Sequence, residues 1–161
     1  MIRAASIDDA SEICGIWNPI IRDSSVTFNS IEKTPSDVAA MIRDKQGANQ
    51  RFCVAQLDGA VVGFATYGQF RGGIGYQHTV EHSIILDPAA QGQGVGRLLM
   101  DDLFEHARAN GMHSMFAGVS GENPAGVAFH AALGFETIGR LPEVGFKFGR
   151  WFDLVLMQKR L

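Results

Sequence analysis

The chain has 161 residues, of which 46% are hydrophobic and 19% charged, values that fit one soluble globular domain spanning 1–161 and exclude a disordered or fibrous chain. Its formal net charge of −3, with no basic stripe, excludes nucleic acid as an expected partner. No apolar run approaches the roughly 20 residues that span a bilayer, so no membrane association is expected. The two isolated cysteines, Cys14 and Cys53, indicate buried thiols and a cytoplasmic protein.

The N-terminal part of the chain is predicted to contain a short strand and two helices. Ile2–Ala4 forms the strand, and a capping-box-like start at Ser6–Asp9 opens the first helix. We expect Pro19 to kink or end this helix. Residues 22–33 show neither a helical nor a strand period and are predicted to form a loop. A second, short helix runs from Thr34, an N-cap followed by proline, to Gly47.

The middle of the chain is predicted to form three strands. They cover Arg51–Gln56, Ala60–Phe70 and about His78–Leu86. Asp58-Gly59 joins the first two, because this dipeptide adopts the positive φ angles of a tight hairpin. Asp87-Pro88 ends the third strand.

The C-terminal part is predicted to alternate helices and strands. An amphipathic helix covers Gly94–Asn110, a buried strand covers His113–Val119, and a second helix runs from Asn123 to Gly134. Phe135–Leu141 and Trp151–Gln158 are the last two strands. The order β α α β β β α β α β β predicts an α/β domain with a mixed, mostly antiparallel sheet of about six or seven strands and about four helices.

A glycine-rich turn, Gln91–Gly96, lies between the third of the middle strands and the amphipathic helix. Glycines at a helix N-terminus let an anion reach unpaired N–H groups at the positive end of the helix dipole, so a pyrophosphate is the expected ligand. A tight strand-to-helix turn that needs glycine only for its backbone angles is the alternative. The spacing G-x-G-x-G departs from the Rossmann fingerprint, and no Gly-Lys-Ser/Thr of a P-loop follows.

This turn and the following helix resemble the acetyl-CoA signature of the GNAT acyltransferase superfamily. The resemblance rests on Gln91, Gly94 and Gly96, and on Asn123 heading a helix that ends in His130-Ala-Ala-Leu-Gly-Phe135. It implies a GNAT fold with acetyl-CoA as cosubstrate and no metal. The chain departs from most members by carrying Gln91 where they have arginine. The residues implied to contact the cosubstrate in the turn are Gln91, Gly92, Gln93, Gly94, Val95, Gly96 and Arg97.

Further motifs narrow the resemblance within the superfamily. Thr27-Phe28, Phe70-Arg71, the segment Tyr76–Ser83 and the tail Gly145–Asp153 are similar to those of phosphinothricin and methionine sulfoximine N-acetyltransferases. The resemblance implies transfer of acetyl from acetyl-CoA to the α-amine of a small amino-acid-like acceptor, by direct attack in a ternary complex. It also implies a homodimer, for which the aromatic, basic tail has the composition of an interface.

Two side chains are candidates for proton transfer. Glu81 is a lone carboxylate in an apolar strand, where burial would raise its pKa toward that of a general base, the role that the resemblance implies; a glutamate on an exposed strand surface is the alternative. His130 stands where many superfamily members place the tyrosine that protonates the thiolate, and it is equally compatible with a packed residue or a pantetheine contact. His82 is expected on the opposite sheet face from Glu81, which argues against a metal site.

The remaining candidates concern the two substrates. A pantetheine arm carries amides that can pair with the exposed backbone of Ile84, Ile85 and Leu86. Asn123 is explained as an N-cap, and the resemblance adds a pantetheine contact. Arg71 could clamp a carboxylate or phosphinate with a forked pair of hydrogen bonds, or be an ordinary turn arginine. The residues predicted to bind the acceptor are Phe28, Arg71, Tyr76, Thr79 and Lys147.

Two other functions stay open on the sequence. The same fold could acetylate a protein N-terminus or another amine, and a substrate screen separates that from a small acceptor. The domain could also be a non-catalytic acyl-CoA sensor, against which the carboxylate of Glu81 argues. A covalent route through a cysteine has no support, because Cys14 and Cys53 lie outside the motifs.

Overall fold

The structure is a computed structural model that describes all 161 residues, and its element order is the predicted one. Seven strands form one sheet, and four α-helices cover it. The strands are β1 (Ile2–Ala4), β2 (Phe52–Leu57), β3 (Ala60–Gln69), β4 (Thr79–Leu86), β5 (Ser114–Ser120), β6 (Glu136–Lys147) and β7 (Arg150–Arg160). The helices are α1 (Ala10–Asp23), α2 (Pro35–Gly47), α3 (Val95–Ala109) and α4 (Pro124–Ala132).

The sheet has the strand order β1-β2-β3-β4-β5-β7-β6. Every neighbouring pair is antiparallel except β4 and β5, which are parallel and are connected through α3. A parallel pair needs such a crossover, so α3 begins at the carboxyl end of β4. The mixed, mostly antiparallel sheet is therefore confirmed.

Each face of the sheet buries its own core. Leu99 and Leu103 of α3 pack with Met115 of β5 on one face. Helices α1 and α2 cover β2 and β3 on the other face, where Ile42 and Phe64 are fully buried. This second core also includes Ile85 near the carboxyl end of β4, but no residue of β5 or β7. The polar residues of the site lie on this face, between the amino-terminal half of β4 and these two strands.

We expected Pro19 to kink or end α1, and the structure shows that it does not end the helix. The helix continues to Asp23, and the N–H of Ser24 still donates to the Ile20 carbonyl. Buried residues on both sides of the proline, Trp17 and Ile21, hold the helix against the sheet, so tertiary packing offsets the hydrogen bond that Pro19 cannot make.

The last two strands are longer than predicted and form a continuous hairpin. Phe148 and Gly149 make the turn, with φ angles of 53° and 72° that match the tight type I′ geometry. The register shifts between Leu141 and Gly145, where Glu143 also has a positive φ of 53°. Pro142 lies within this bulge and interrupts the alternation of apolar residues. The sequence pattern therefore did not predict the second half of β6.

Both cysteines are free and buried, as predicted. Burial raises the pKa of the Cys53 thiol well above its ordinary value, which makes it a poor nucleophile at neutral pH. None of the four helices has the length and apolar character needed to cross a membrane.

Candidate active site

The central feature of the site is an opening between β4 and β5. The parallel ladder joins only Thr79–Glu81 to Ser114–Phe116. Beyond this point β4 continues to Leu86 and β5 to Ser120 without pairing to each other. We call this V-shaped gap the β4–β5 opening.

The backbone of β4 supplies hydrogen-bonding groups to this opening. The bonds from Phe70 N to Thr79 O (3.0 Å) and from Asp87 N to Val62 O (2.8 Å) show that odd-numbered residues of β4 bond to β3. Because the direction alternates, Ile84 and Leu86 direct their N–H and C=O groups toward the β4–β5 opening. Two of the three predicted backbone positions are thus available to a ligand there.

Ile85 is the exception among the three. Its position in the same alternation directs its backbone groups to Phe64 of β3, and its side chain is packed in the core under α1 and α2. We therefore remove Ile85 from the residues that could contact a cosubstrate.

The N-terminus of α3 lies at the wide end of the β4–β5 opening. Gly94 caps the helix in the left-handed conformation, with φ of 79°, and no side chain bonds to the first turn. Leu98 N bonds to Gly94 O (3.2 Å), which leaves the N–H groups of Val95, Gly96 and Arg97 without a partner within the helix. Since the first turn carries no acidic residue, this end of the helix is suited to an anion.

Gly96 has a packing role in addition to its free N–H. A Cβ there would lie 3.1 Å from the Phe129 ring and 3.2 Å from Leu86 Cδ1. The glycine thus lets α3 approach β4 and α4 closely, and the space that its missing side chain leaves sets the width of the opening at this point.

The polar side chains of the turn support its backbone. Gln93 donates to Ala89 O (2.9 Å), and Arg97 donates to Ala132 O at the end of α4 (3.0 Å). Gln91 is exposed. Asn123 caps α4 by accepting the Gly126 N–H (3.0 Å), which confirms its predicted structural role. Contacts of these side chains to a ligand stay predictions.

Glu81 lies on the opposite face of the sheet from α3, beside the narrow end of the β4–β5 opening. Its ladder neighbours are Gly68 in β3 and Phe116 in β5. Its Oε2 lies 3.5 Å from where a Cβ on Gly118 would stand, and Leu154 packs against the same point. Glu81 is an exposed residue of β4, as the alternative interpretation of the sequence had it, but its neighbours still desolvate the carboxylate enough to raise its pKa above the ordinary value.

Glycines flanking Glu81 are the feature that sequence reasoning missed. Gly68 and Gly118 lie inside strands, where glycine weakens the strand but permits close approach of another group. The available signal was an isolated glycine within each strand pattern.

Both ring nitrogens of His130 are already engaged in hydrogen bonds, which does not fit the predicted role of a general acid. Its Nδ1 lies 2.7 Å from Gly126 O, which can only accept, so Nδ1 carries the proton. Its Nε2 lies 3.1 Å from His82 Nε2 and accepts from it in the neutral pair. Burial lowers the pKa of both rings, that of His82 to about 3. Neutral His130 consequently has no free N–H for a thiolate, and His82 lies on the opposite face from Glu81, as predicted.

The residues predicted to bind the acceptor fall into two groups around Glu81. Arg71 is exposed and unpaired, with its guanidinium carbon 5.4 Å from the centre of the Tyr76 ring. Thr79 shares the sheet face of Glu81 by alternation. On the other side, Phe28 packs on Phe152 with ring centres 5.4 Å apart.

Lys147 does not have a free ammonium. The residue is 3% exposed, and its Nζ donates to Ser24 O (2.6 Å) and Thr27 O (2.8 Å). We therefore correct its assignment from an acceptor contact to a support of the loop between α1 and α2. The sequence could not show this, because the partners are about 120 residues away in the chain.

No group of three or more His, Cys, Asp or Glu side chains is arranged to hold a metal ion. The site contains two groups suited to chemistry, the carboxylate of Glu81 at the narrow end of the β4–β5 opening and the free N–H groups at the start of α3 at its wide end.

Comparison with known proteins gives a consistent result. The profile described as "Acetyltransferase (GNAT) family" matches residues 17–135. An L-methionine sulfoximine/L-methionine sulfone acetyltransferase of Salmonella typhimurium is 36% identical over 160 residues, covering 99% of this chain and 94% of the relative. The structure of a phosphinothricin acetyltransferase from Sinorhizobium meliloti in complex with acetyl-CoA is 33% identical, with a TM-score of 0.95 over 100% of this chain and 88% of that one.

A further structural neighbour is named for a different activity. The ribosomal-protein-alanine N-acetyltransferase of Brucella melitensis is 35% identical, with a TM-score of 0.97 over 100% of this chain and 99% of that one. These likenesses cover the whole domain, including the β4–β5 opening and the strand that carries Glu81.

Proposed function

The chain belongs to the GNAT family of acetyltransferases, and we propose that it transfers acetyl from acetyl-CoA to the α-amine of a small amino-acid-like acceptor. The acceptor class is that of methionine sulfoximine, methionine sulfone and phosphinothricin, on which its relatives act. The observation that carries the proposal is the position of Glu81, a carboxylate with a raised pKa at the narrow end of the β4–β5 opening.

The residues of the opening fit acetyl-CoA. The free N–H groups of Val95, Gly96 and Arg97 would hold the pyrophosphate, and the backbone of Ile84 and Leu86 would pair with the amides of the pantetheine arm. When bound, acetyl-CoA supplies an activated thioester. Gln91 lacks the positive charge of the usual arginine, but these contacts do not require that charge, because the donors are backbone amides.

Glu81 is the base of the proposed reaction. An acceptor amine with a pKa of about 8 to about 10 is mostly protonated at neutral pH and must lose a proton to become a nucleophile. The raised pKa of Glu81 brings its basicity closer to that of the amine. Glu81 would take the proton from the amine either directly or through one water molecule. We propose direct attack, since Cys53 is buried with a raised pKa and Cys14 is buried as well. His130 is assigned to packing beside the opening.

Arg71 is the proposed partner of the acceptor carboxylate. Its guanidinium has no acidic partner and belongs to the turn that leads into the strand of Glu81. A zwitterionic acceptor needs such a partner, because an unpaired carboxylate in a closing site costs several kcal/mol. Tyr76, Thr79 and Phe28 would line the same space.

A protein N-terminus is the second candidate acceptor, favoured by the likeness to the Brucella melitensis enzyme. The two are separated by measuring CoA release with methionine sulfone, methionine sulfoximine, phosphinothricin and a peptide beginning with alanine. We expect the three small acceptors to be acetylated faster than the peptide. Acetylation of the peptide alone would replace the small-molecule proposal by the protein-acceptor one.

We also propose a homodimer, formed through the exposed face of the β6–β7 hairpin. Large apolar side chains are exposed along it, and a patch of this kind marks an interface. Light scattering at micromolar concentration should give twice the 17.5 kDa chain mass, and a monomer would refute the proposal. The exposed residues are Ile138, Leu141, Val144, Phe146, Phe148 and Trp151.

A further inference from the structure

A buried lysine, Lys147, bonds to the loop between α1 and α2. We propose that Lys147 is a positioning residue for acceptor selection: it pins the loop between α1 and α2 so that Phe28 forms a rigid side wall opposite Glu81. This inference rests on the proposed function, because it concerns which acceptors fit the same site.

The contacts of Lys147 are unusual for a lysine. It is 3% exposed and has no carboxylate partner, and its ammonium is instead shared between Ser24 O (2.6 Å) and Thr27 O (2.8 Å). Burial lowers its pKa. A buried ammonium is costly, so its two bonds to carbonyls three residues apart are what hold it in place.

The loop has few other attachments. Its far end is held by Asn18, which bonds to Lys33, and by the exposed ion pair of Arg22 with Glu32 (3.4 Å). The other side-chain bonds within the loop are local turns. Between residues 25 and 31, the bond from Lys147 to Thr27 O is the only hydrogen bond to another part of the chain. Phe28 is the next residue, so its position depends directly on this bond.

The ring of Phe28 is seated on the hairpin beside Lys147. A Cβ on Gly145 would overlap this ring, so the missing side chain forms the seat. On its other side the ring packs against Phe152, whose centre is 5.4 Å away. We call the pair Phe28 and Phe152 the aromatic wall.

The aromatic wall and Glu81 share one face of the sheet. Phe152 and Leu154 alternate onto the same side of β7, and Leu154 Cδ1 lies 3.3 Å from the position of a Cβ on Gly118. Glu81 Oε2 lies 3.5 Å from that same position. An acceptor whose amine reaches Glu81 therefore has its side chain directed along Leu154 toward the wall, and the fixed position of Phe28 limits how bulky that side chain can be.

The test replaces Lys147 with methionine, which keeps the length and apolar stem of the side chain but makes no bond to the loop carbonyls. Lys147→Met should raise the acceptor KM by roughly tenfold, since small displacements of positioning groups have effects of this size or larger. The KM for acetyl-CoA should stay within about twofold, because the substitution does not touch the free N–H groups at the start of α3. The preference for methionine sulfone over a bulkier amino acid should also shrink.

Lys159→Met is the matched control. Lys159 is partly buried, and its Nζ donates to a single backbone carbonyl, that of Leu133 (2.9 Å), on the opposite face of the sheet from Glu81 and outside the loop. It should lower thermal stability to a similar degree and leave both KM values unchanged.

Gly145→Ala tests the same wall without touching Lys147, because the new methyl group displaces Phe28, and it should raise the acceptor KM selectively as well.

If either variant folds and keeps the wild-type acceptor KM and selectivity, Lys147 only stabilises the fold and the inference is overturned. Failure of the wild-type protein to acetylate any small acceptor would instead refute the proposed function. In that case, cleavage by trypsin at Arg22 and Lys33 still tests whether Lys147 holds the loop: the loop of Lys147→Met should be cut faster than that of Lys159→Met, and equal rates would overturn the inference.

Discussion

Glu81→Gln is expected to lower kcat at neutral pH by roughly 10²-fold or more, the usual contribution of a general base. Glutamine has the same shape and cannot accept a proton, so the affinity for acetyl-CoA should stay nearly unchanged. The raised pKa of Glu81 also sets a pH dependence. The base works only when ionised, so the wild-type kcat should fall as the pH is lowered through this raised pKa, and the variant should lose that decline.

Glu136→Gln is a suitable control for this prediction. Glu136 is an exposed carboxylate at the start of β6, and its replacement removes the same charge from the same sheet. It should leave kcat and the pH profile unaltered. A Glu81→Gln enzyme with the wild-type pH profile would show that another group, or solvent alone, takes the proton.

Gly96→Val is expected to destabilise the fold by about 1–3 kcal/mol, the usual cost of overpacking. Even the first added carbon would lie 3.1 Å from the Phe129 ring and 3.2 Å from Leu86 Cδ1, so α3 must move away from β4 or α4. Because the same movement displaces the free N–H groups of the helix start, the variant should also lose most of the stabilisation that CoA gives the wild-type protein.

The matched control is Gly15→Val. Gly15 is also a helical glycine, but a Cβ there meets nothing within 4 Å, so valine should fit with little change in stability. Thermal melts with and without CoA measure both effects. A Gly96→Val protein with a full CoA-dependent shift would mean that CoA is not held at the start of α3.

Local signals were sufficient to predict most elements. The caps at Thr34 and Asn123, the Asp58-Gly59 hairpin and the amphipathic pattern of α3 all depend on residues close in sequence. Motif order then identified the family, and the alternation of side chains placed Glu81 and His82 on opposite faces. These features need no knowledge of distant contacts.

The features that were not predicted depend on partners far apart in the chain. The bond between His82 and His130 joins β4 to α4, and the bonds of Lys147 join β6 to the loop after α1. Neither pairing leaves a pattern in its own segment. The continuation of α1 past Pro19 is of the same kind, since packing against the sheet prevails over a local helix breaker.

The central claim is that an acceptor amine poised by Glu81 attacks acetyl-CoA directly in the β4–β5 opening. The most direct measurement is the initial rate of CoA release with methionine sulfone and acetyl-CoA varied together. Direct transfer in a ternary complex predicts double-reciprocal lines that intersect. Parallel lines, the kinetic sign of a covalent acetyl-enzyme, would contradict the account, as would release of CoA no faster than without the protein.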